Sequence, residues 1–142
     1  MSWIRGVTIG ALGLAMLVGP VAAQEEGSGF ERHLFPPDLV MRHQQAVALT
    51  AAQRDQVSRA IEELQADVQQ LQWDMSAAAE ELTTLVSETE VDRSAVLSQV
   101  DEVLDIERQI KRAHITMLVE VKNALTAEQQ RLLQELRSGA TE

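Results

Sequence analysis

The chain has 142 residues, of which 45% are hydrophobic, 24% charged and only 3% aromatic, with 12 Lys+Arg against 22 Asp+Glu and no cysteine. A chain of this length holds one modest domain. The missing cysteines exclude a disulfide framework, a thiol nucleophile, a Cys-ligated zinc site and a lipid-modified cysteine. The net charge of −10 excludes the basic surface that nucleic-acid phosphates require. Abundant Leu, Val, Ala, Glu and Gln with only two Trp and two Phe favour helices over a β-sandwich. The expected class is all-α.

Residues 1–23 read as an export signal. Arg5 supplies a positive start, residues 7–18 form an uncharged apolar run of 12, and Val21-Ala22-Ala23 places small side chains before Gln24. Twelve residues rise only about 18 Å as a helix, short of a ~30 Å hydrocarbon core, so a cleaved signal is expected rather than a membrane anchor. Cleavage after Ala23 would leave 119 residues with 11 basic and 22 acidic side chains, a net charge of −11. That places the mature protein in the periplasm, with no span left in the membrane. ATP is absent there, and the chain carries no glycine-rich phosphate loop, so its work is expected to be ATP-free.

Residues 24–37 (QEEGSGFERHLFPP) mix charge, glycine and a Pro-Pro pair and predict an extended leader whose Phe30 and Phe35 dock on the body. A helical domain then spans residues 38–137, followed by a disordered tail at 138–142. A short first helix is expected over residues 38–47, with Asp38 as its N-cap and Leu39, Val40, His43 and Val47 on one face. The second helix carries the clearest period. Val57, Ile61, Leu64, Val68, Leu71, Met75, Ala78, Leu82 and Leu85 alternate steps of four and three, a sustained a/d seam over a helix expected at residues 51–86. Residues 87–91 (SETEV) break the pattern and Asp92 can cap a third helix. Its seam is expected at Val96, Val100, Val103, Glu107, Ile110, His114, Met117, Val121 and Ala124. So short a break can only return the chain antiparallel to itself. The third helix also carries a second apolar row, Leu97, Leu104, Leu118 and Leu125, interrupted by Lys111. A final helix from Ala127 to about Arg137 can cover part of that row, and a partner subunit is expected over the rest.

A motif occurs twice. Ala48-Leu49-Thr50-Ala51-Ala52-Gln53 returns 76 residues later as Ala124-Leu125-Thr126-Ala127-Glu128-Gln129, identical in five of six places. Each copy can form a capping box. The threonine accepts from the N3 backbone N–H while the glutamine three residues on reaches back to the N-cap N–H. Arg54 and Gln130 occupy N4, so Leu49 and Leu125 cannot form a strict hydrophobic staple and are expected to lock the corners between helices.

These paired Leu-Thr-x-x-Gln motifs, the signal segment and the short-long-long-short helix order resemble the LTxxQ proteins, which comprise the Spy/CpxP periplasmic chaperones and the related ZraP-like and CnrX-like metal-responsive proteins. The resemblance covers roughly residues 39–136. It implies a cradle-shaped, four-helix antiparallel homodimer that binds unfolded or stress-damaged envelope proteins, or that reports metal to an envelope stress sensor. Two departures stand out. The Spy-type concave face is expected to be rich in basic residues, whereas this chain is acidic; and Met117 and Val121 fill the places where the CnrX-like branch has late metal ligands, with no ZraP-like histidine-rich tail.

Site residues are weighed against plain packing. The histidines are His33, His43 and His114. A zinc or other transition-metal site could draw on His43, Glu62 or Glu63, and His114 or Met117, but the favoured reading is structural: His43 on a half-buried face and His114 as a polar register residue. No cofactor is therefore assigned. His114 is expected opposite Leu64 and Gln65, near Asp67. Trp73 falls at f, away from the seam, and is expected to pack under the leader, helix 1 or a second subunit, with Phe30 and Phe35 as neighbours, or else to meet clients. The candidate client contacts are Trp73, Leu97, Leu104 and Leu118. No nucleophile and base stand in a catalytic pattern, so an enzyme is not expected. The leading functional expectation is an ATP-independent chaperone for unfolded envelope proteins; the alternative is a metal-responsive sensor or inhibitory partner of an envelope stress system.

Overall fold

The computed structural model describes residues 29–139. The export signal expected at 1–23, the leader up to residue 28 and the tail from residue 140 lie outside the described residues. A 3-10 turn at Glu31–His33 leads into α1 (Pro37–Arg42), α2 (Ala51–Ser87), α3 (Arg93–Ala124) and α4 (Ala127–Gly139), with no strand among the described residues. The fold is all-α, and α2 and α3 pack together as a long antiparallel hairpin. With 37 residues, α2 is about 55 Å long at ~1.5 Å per residue.

The local signals explain the boundaries. Asp92 caps α3 by accepting from the backbone N–H groups of Ser94 and Ala95 at 2.8 and 3.1 Å. The start of α1 differs from expectation. Pro36 is the N-cap and Pro37 the first helical residue, a place where the missing proline N–H costs nothing. Asp38 lies inside the first turn and pairs with Arg42 instead of capping. The helix also stops at Arg42, and residues 43–48 form turns that end at Ala48, whose φ of 49° lies in the left-handed region.

Every α2 seam residue from Val57 to Leu85 is buried or half-buried. The α3 seam departs from strict alternation after Val103. Ile106 is buried and Ala113 half-buried, while Glu107 and His114 are exposed, so the line runs Val96, Val100, Val103, Ile106, Ile110, Ala113, Met117, Val121. Two apolar residues one step earlier outcompete a carboxylate and an imidazole for the interior, which removes the register role expected for His114. Gln99 also joins the contact, donating to the Ala78 carbonyl across the hairpin at 3.0 Å.

The core is at one end. Phe35, Val40, Val47, Leu49, Val57, Ala60, Met117, Val121, Leu125 and Leu133 form one cluster, edged by Ile61, Leu64, Leu118, Leu132 and Leu136. We call this end the base and the remainder of the hairpin the arm. Here α1, α4 and the leader close around the hairpin.

Candidate functional site

The two Leu-Thr-x-x-Gln motifs meet at the base. Both capping boxes are closed: Gln53 N–H donates to Thr50 Oγ1 at 3.2 Å and Thr50 N–H to Gln53 Oε1 at 3.0 Å, and the Thr126–Gln129 pair repeats this at 3.2 and 2.9 Å. The two glutamine amides also bond to each other, Gln53 Nε2 to Gln129 Oε1 at 2.7 Å and Gln129 Nε2 to Gln53 Oε1 at 3.0 Å. Each spends its second N–H on the other copy's corner, Gln53 on the Ala124 carbonyl at 2.8 Å and Gln129 on the Val47 carbonyl at 3.1 Å. All four amide hydrogens are used, as burial of an amide pair demands. The left-handed turn at Ala48 directly follows the Val47 carbonyl that Gln129 reads. These residues therefore weld the base through a local two-fold arrangement, and Arg54 and Gln130 extend it by donating to the carbonyls of Leu49 and Leu125.

The arm is different, because its two sides are unlike. One side is a shallow polar trough with alanines on its floor and Glu63, Asp67, Asp74, Glu81, Glu102 and Asp105 among its walls, offset by Arg59 and Arg112. On the other side α3 presents its second apolar row. Leu97 and Leu104 are 51% and 53% exposed, and Val86 and Val91, near the tip of the hairpin, are exposed as well. Leu118 is half-buried against the base core, and Leu125 is inside it. The row expected to face a client or partner is therefore open only over its first half.

Trp73 is 70% exposed on the back of α2, beside Gln69, Gln72 and Ser76. It does not pack under the leader; Phe35 is in the base core and Phe30 is exposed. Among the client-contact candidates, Trp73, Leu97 and Leu104 are thus accessible. Trp73 faces a different direction from the two leucines.

The metal candidates do not converge. His43 is half-buried at the end of α1, Met117 is buried in the core, and His114 is exposed on α3. Asp67 lines the polar trough, while His114 lies across the seam from it in a hollow of about 320 Å³ lined by Glu31, Glu107, Ile110, Lys111, Ile115 and Leu118. No group of three His, Asp or Glu among the described residues of one chain could hold a metal ion. The donors described here therefore do not fit a metal centre within one chain. No helix among the described residues is long and apolar enough to cross a membrane.

A family model for heavy-metal resistance matches residues 5–131. The chain belongs to the heavy-metal resistance family. No curated protein and no solved structure matches it significantly. In this family member three base residues, Lys122, Gln134 and Arg137, escaped sequence reasoning; they donate to backbone carbonyls of the leader. Long polar side chains near a helix end read as ordinary solvated surface, and only the leader's path assigns them a partner. Ile106 and Ala113 could have been found in sequence by allowing the seam one consecutive pair of three-residue steps.

Proposed function

We propose that this member of the heavy-metal resistance family acts in the periplasm as an ATP-independent chaperone, binding unfolded envelope proteins through the apolar side of the arm. The single observation behind this reading is the open row of Leu97 and Leu104, each more than half exposed on α3, since a protein that leaves large apolar side chains in line is offering a contact surface. Contacts of this kind are shallow and weak, and they select for exposed apolar segments rather than for a sequence. The acidic trough on the other side keeps the complex soluble through net charge. The working form is proposed as the homodimer that the resemblance implies, with the Leu97–Leu104 row left open to clients. No residue set with catalytic geometry enters this reading, and it needs no cofactor.

A second reading, a metal-responsive sensor or inhibitory partner of an envelope stress system, is favoured by the family match. Because the described donors of one chain do not make a three-ligand set, this reading requires donors from a second chain or from residues outside 29–139.

The experiment that separates the two is light scattering of an aggregating client with residues 24–142 at stoichiometric amounts, without ATP, in chelator and then with zinc. Suppression in chelator supports the chaperone reading. No suppression in chelator, with tight stoichiometric zinc binding and a raised melting temperature, transfers the assignment to the metal-responsive reading.

A further inference from the structure

The leader is held in an unusual way. Its 3-10 turn and the residues after it lie against α3 and α4, and hydrogen bonds from Lys122, Gln134 and Arg137 reach its backbone carbonyls. Lys122 Nζ donates to the His33 carbonyl at 2.7 Å, Gln134 Nε2 to the Arg32 carbonyl at 3.2 Å, and Arg137 to the carbonyls of Arg32 and Leu34 at 3.0 and 2.5 Å. Such contacts read the main chain and are indifferent to the leader's side chains. Two side chains do enter, Leu34, which is 8% exposed, and Phe35. Phe35 is 3% exposed, with the Lys122 ammonium 5.9 Å and the Arg137 guanidinium 5.3 Å from its ring centroid. Two cations beside one ring select an aromatic group by its quadrupole, and the surrounding apolar residues add burial. The leader side chains that precede Leu34 and Phe35, namely Phe30, Glu31, Arg32 and His33, remain exposed.

A socket made of carbonyl-directed donors and one aromatic hole has the chemistry of a peptide site. We infer that the face formed by Lys122, Gln134, Arg137 and the Phe35 hollow binds extended aromatic-bearing polypeptide segments, and that residues 30–35 occupy it in cis as an exchangeable strap. The inference rests on the protein-binding reading above and supplies a regulated site for it. Glu31 also lines the hollow over Ile110, Ile115 and Leu118, so the strap borders the half of the α3 row that the arm leaves closed. When an incoming segment takes the Phe35 hollow, the strap lifts and uncovers Ile110, Ile115 and Leu118, a second apolar patch beyond Lys111. A tethered strap competes at an effective concentration in the millimolar range, so the site in the intact chain responds to abundant unfolded chains and stays shut otherwise.

The test uses residues 24–142 with a labelled peptide of the leader's own sequence, GFERHLFP, read by fluorescence anisotropy, a measurement that involves no aggregating client and so fails or succeeds independently of chaperone activity. Phe35→Ala should loosen the strap and bind the peptide about tenfold more tightly than the unaltered chain does. A peptide with alanine in place of its second phenylalanine should not bind, and adding Arg137→Gln to the Phe35→Ala chain should weaken binding severalfold. A folded Phe35→Ala chain that ignores the peptide, or binds both peptides equally, overturns the inference. Should Phe35→Ala fail to fold, tryptic cleavage after Arg32 in the unaltered chain takes its place, with an arginine-free peptide (GFEQHLFP) added in excess. Faster cleavage shows the strap displaced, and a rate unchanged at millimolar peptide overturns the exchange.

Discussion

The base and the arm are made from the same two helices and differ in almost every physical respect. At the base, α1, α4 and the leader surround the hairpin, side chains such as Val40, Val57, Val121 and Leu133 lose all contact with water, and two amides satisfy each other. Along the arm two helices have only each other, and a two-helix seam can bury one stripe per helix and no more. The second stripe of α3 is consequently left in water at Leu97 and Leu104. The contrast teaches that burial is concentrated at one end of the hairpin, while the other end keeps apolar side chains in water.

The strongest way to break this division is to compare equivalent truncations at the two ends. Leu133→Ala, in the base, should cost about 3 kcal/mol by chemical denaturation, because it opens a cavity in a closed core. Leu104→Ala, in the arm, should change stability by less than about 0.5 kcal/mol. Equal costs at the two positions would abolish the distinction.

Next in size is the amide weld. Gln129→Ala strands the Val47 carbonyl and one half of the Gln53 amide, and should cost about 2 kcal/mol. A double-mutant cycle of Gln53→Ala with Gln129→Ala should return a coupling of about 1 kcal/mol; additive effects would mean that the motifs merely cap their own helices.

A smaller and opposite effect is expected at Ala48. Its left-handed φ of 49° strains a residue with a Cβ, so Ala48→Gly should stabilise by about 0.5 kcal/mol and raise the melting temperature slightly.

The least effect concerns charge on the surface of α4. Arg131, through a hydrogen bond and its positive charge, holds the Glu128 carboxyl below its ordinary value of 4.5, and Glu128 in turn raises the Arg131 value. A carboxyl lowered by folding contributes stability that is complete above its unfolded value and disappears as pH falls through the folded one. The melting difference between the unaltered chain and Glu128→Gln should therefore be small at pH 6 and smaller still at pH 3. Both side chains are more than half exposed, so a large difference at either pH would contradict the surface role.

Much of the architecture was legible because it depends on local pattern. The period of Val57 through Leu85, the Asp92 cap and the two capping boxes each rest on a few neighbouring residues, and the hairpin follows from the shortness of the break between the helices. The α3 register was less legible. Strict alternation led to Glu107 and His114, whereas the cost of burying a carboxylate shifts the seam to Ile106 and Ala113. The short first helix was misjudged because Pro36 and Pro37 reset its start and the left-handed turn at Ala48 ends the segment in a way no side chain announces. At the candidate site, the exposure of Leu97 and Leu104 could be read from the surplus apolar row. Leu118 could not be separated from them, because whether α4 and the base reach it is a matter of tertiary packing. The convergence of Gln53 with Gln129, and of Lys122 and Arg137 on Phe35, was likewise invisible, since each joins residues 76 to 102 apart and the latter relies on the path of the leader.

The central claim is that the apolar side of the arm is where unfolded chains bind. Hydrogen exchange read by mass spectrometry, with and without a permanently unfolded reduced protein in excess, tests it directly. The account predicts slower exchange in peptides covering residues 93–110 when the unfolded chain is present, and loss of that protection in a Leu97→Ser, Leu104→Ser variant that melts normally. Unchanged exchange throughout α3, or full protection retained by the double variant, would contradict it.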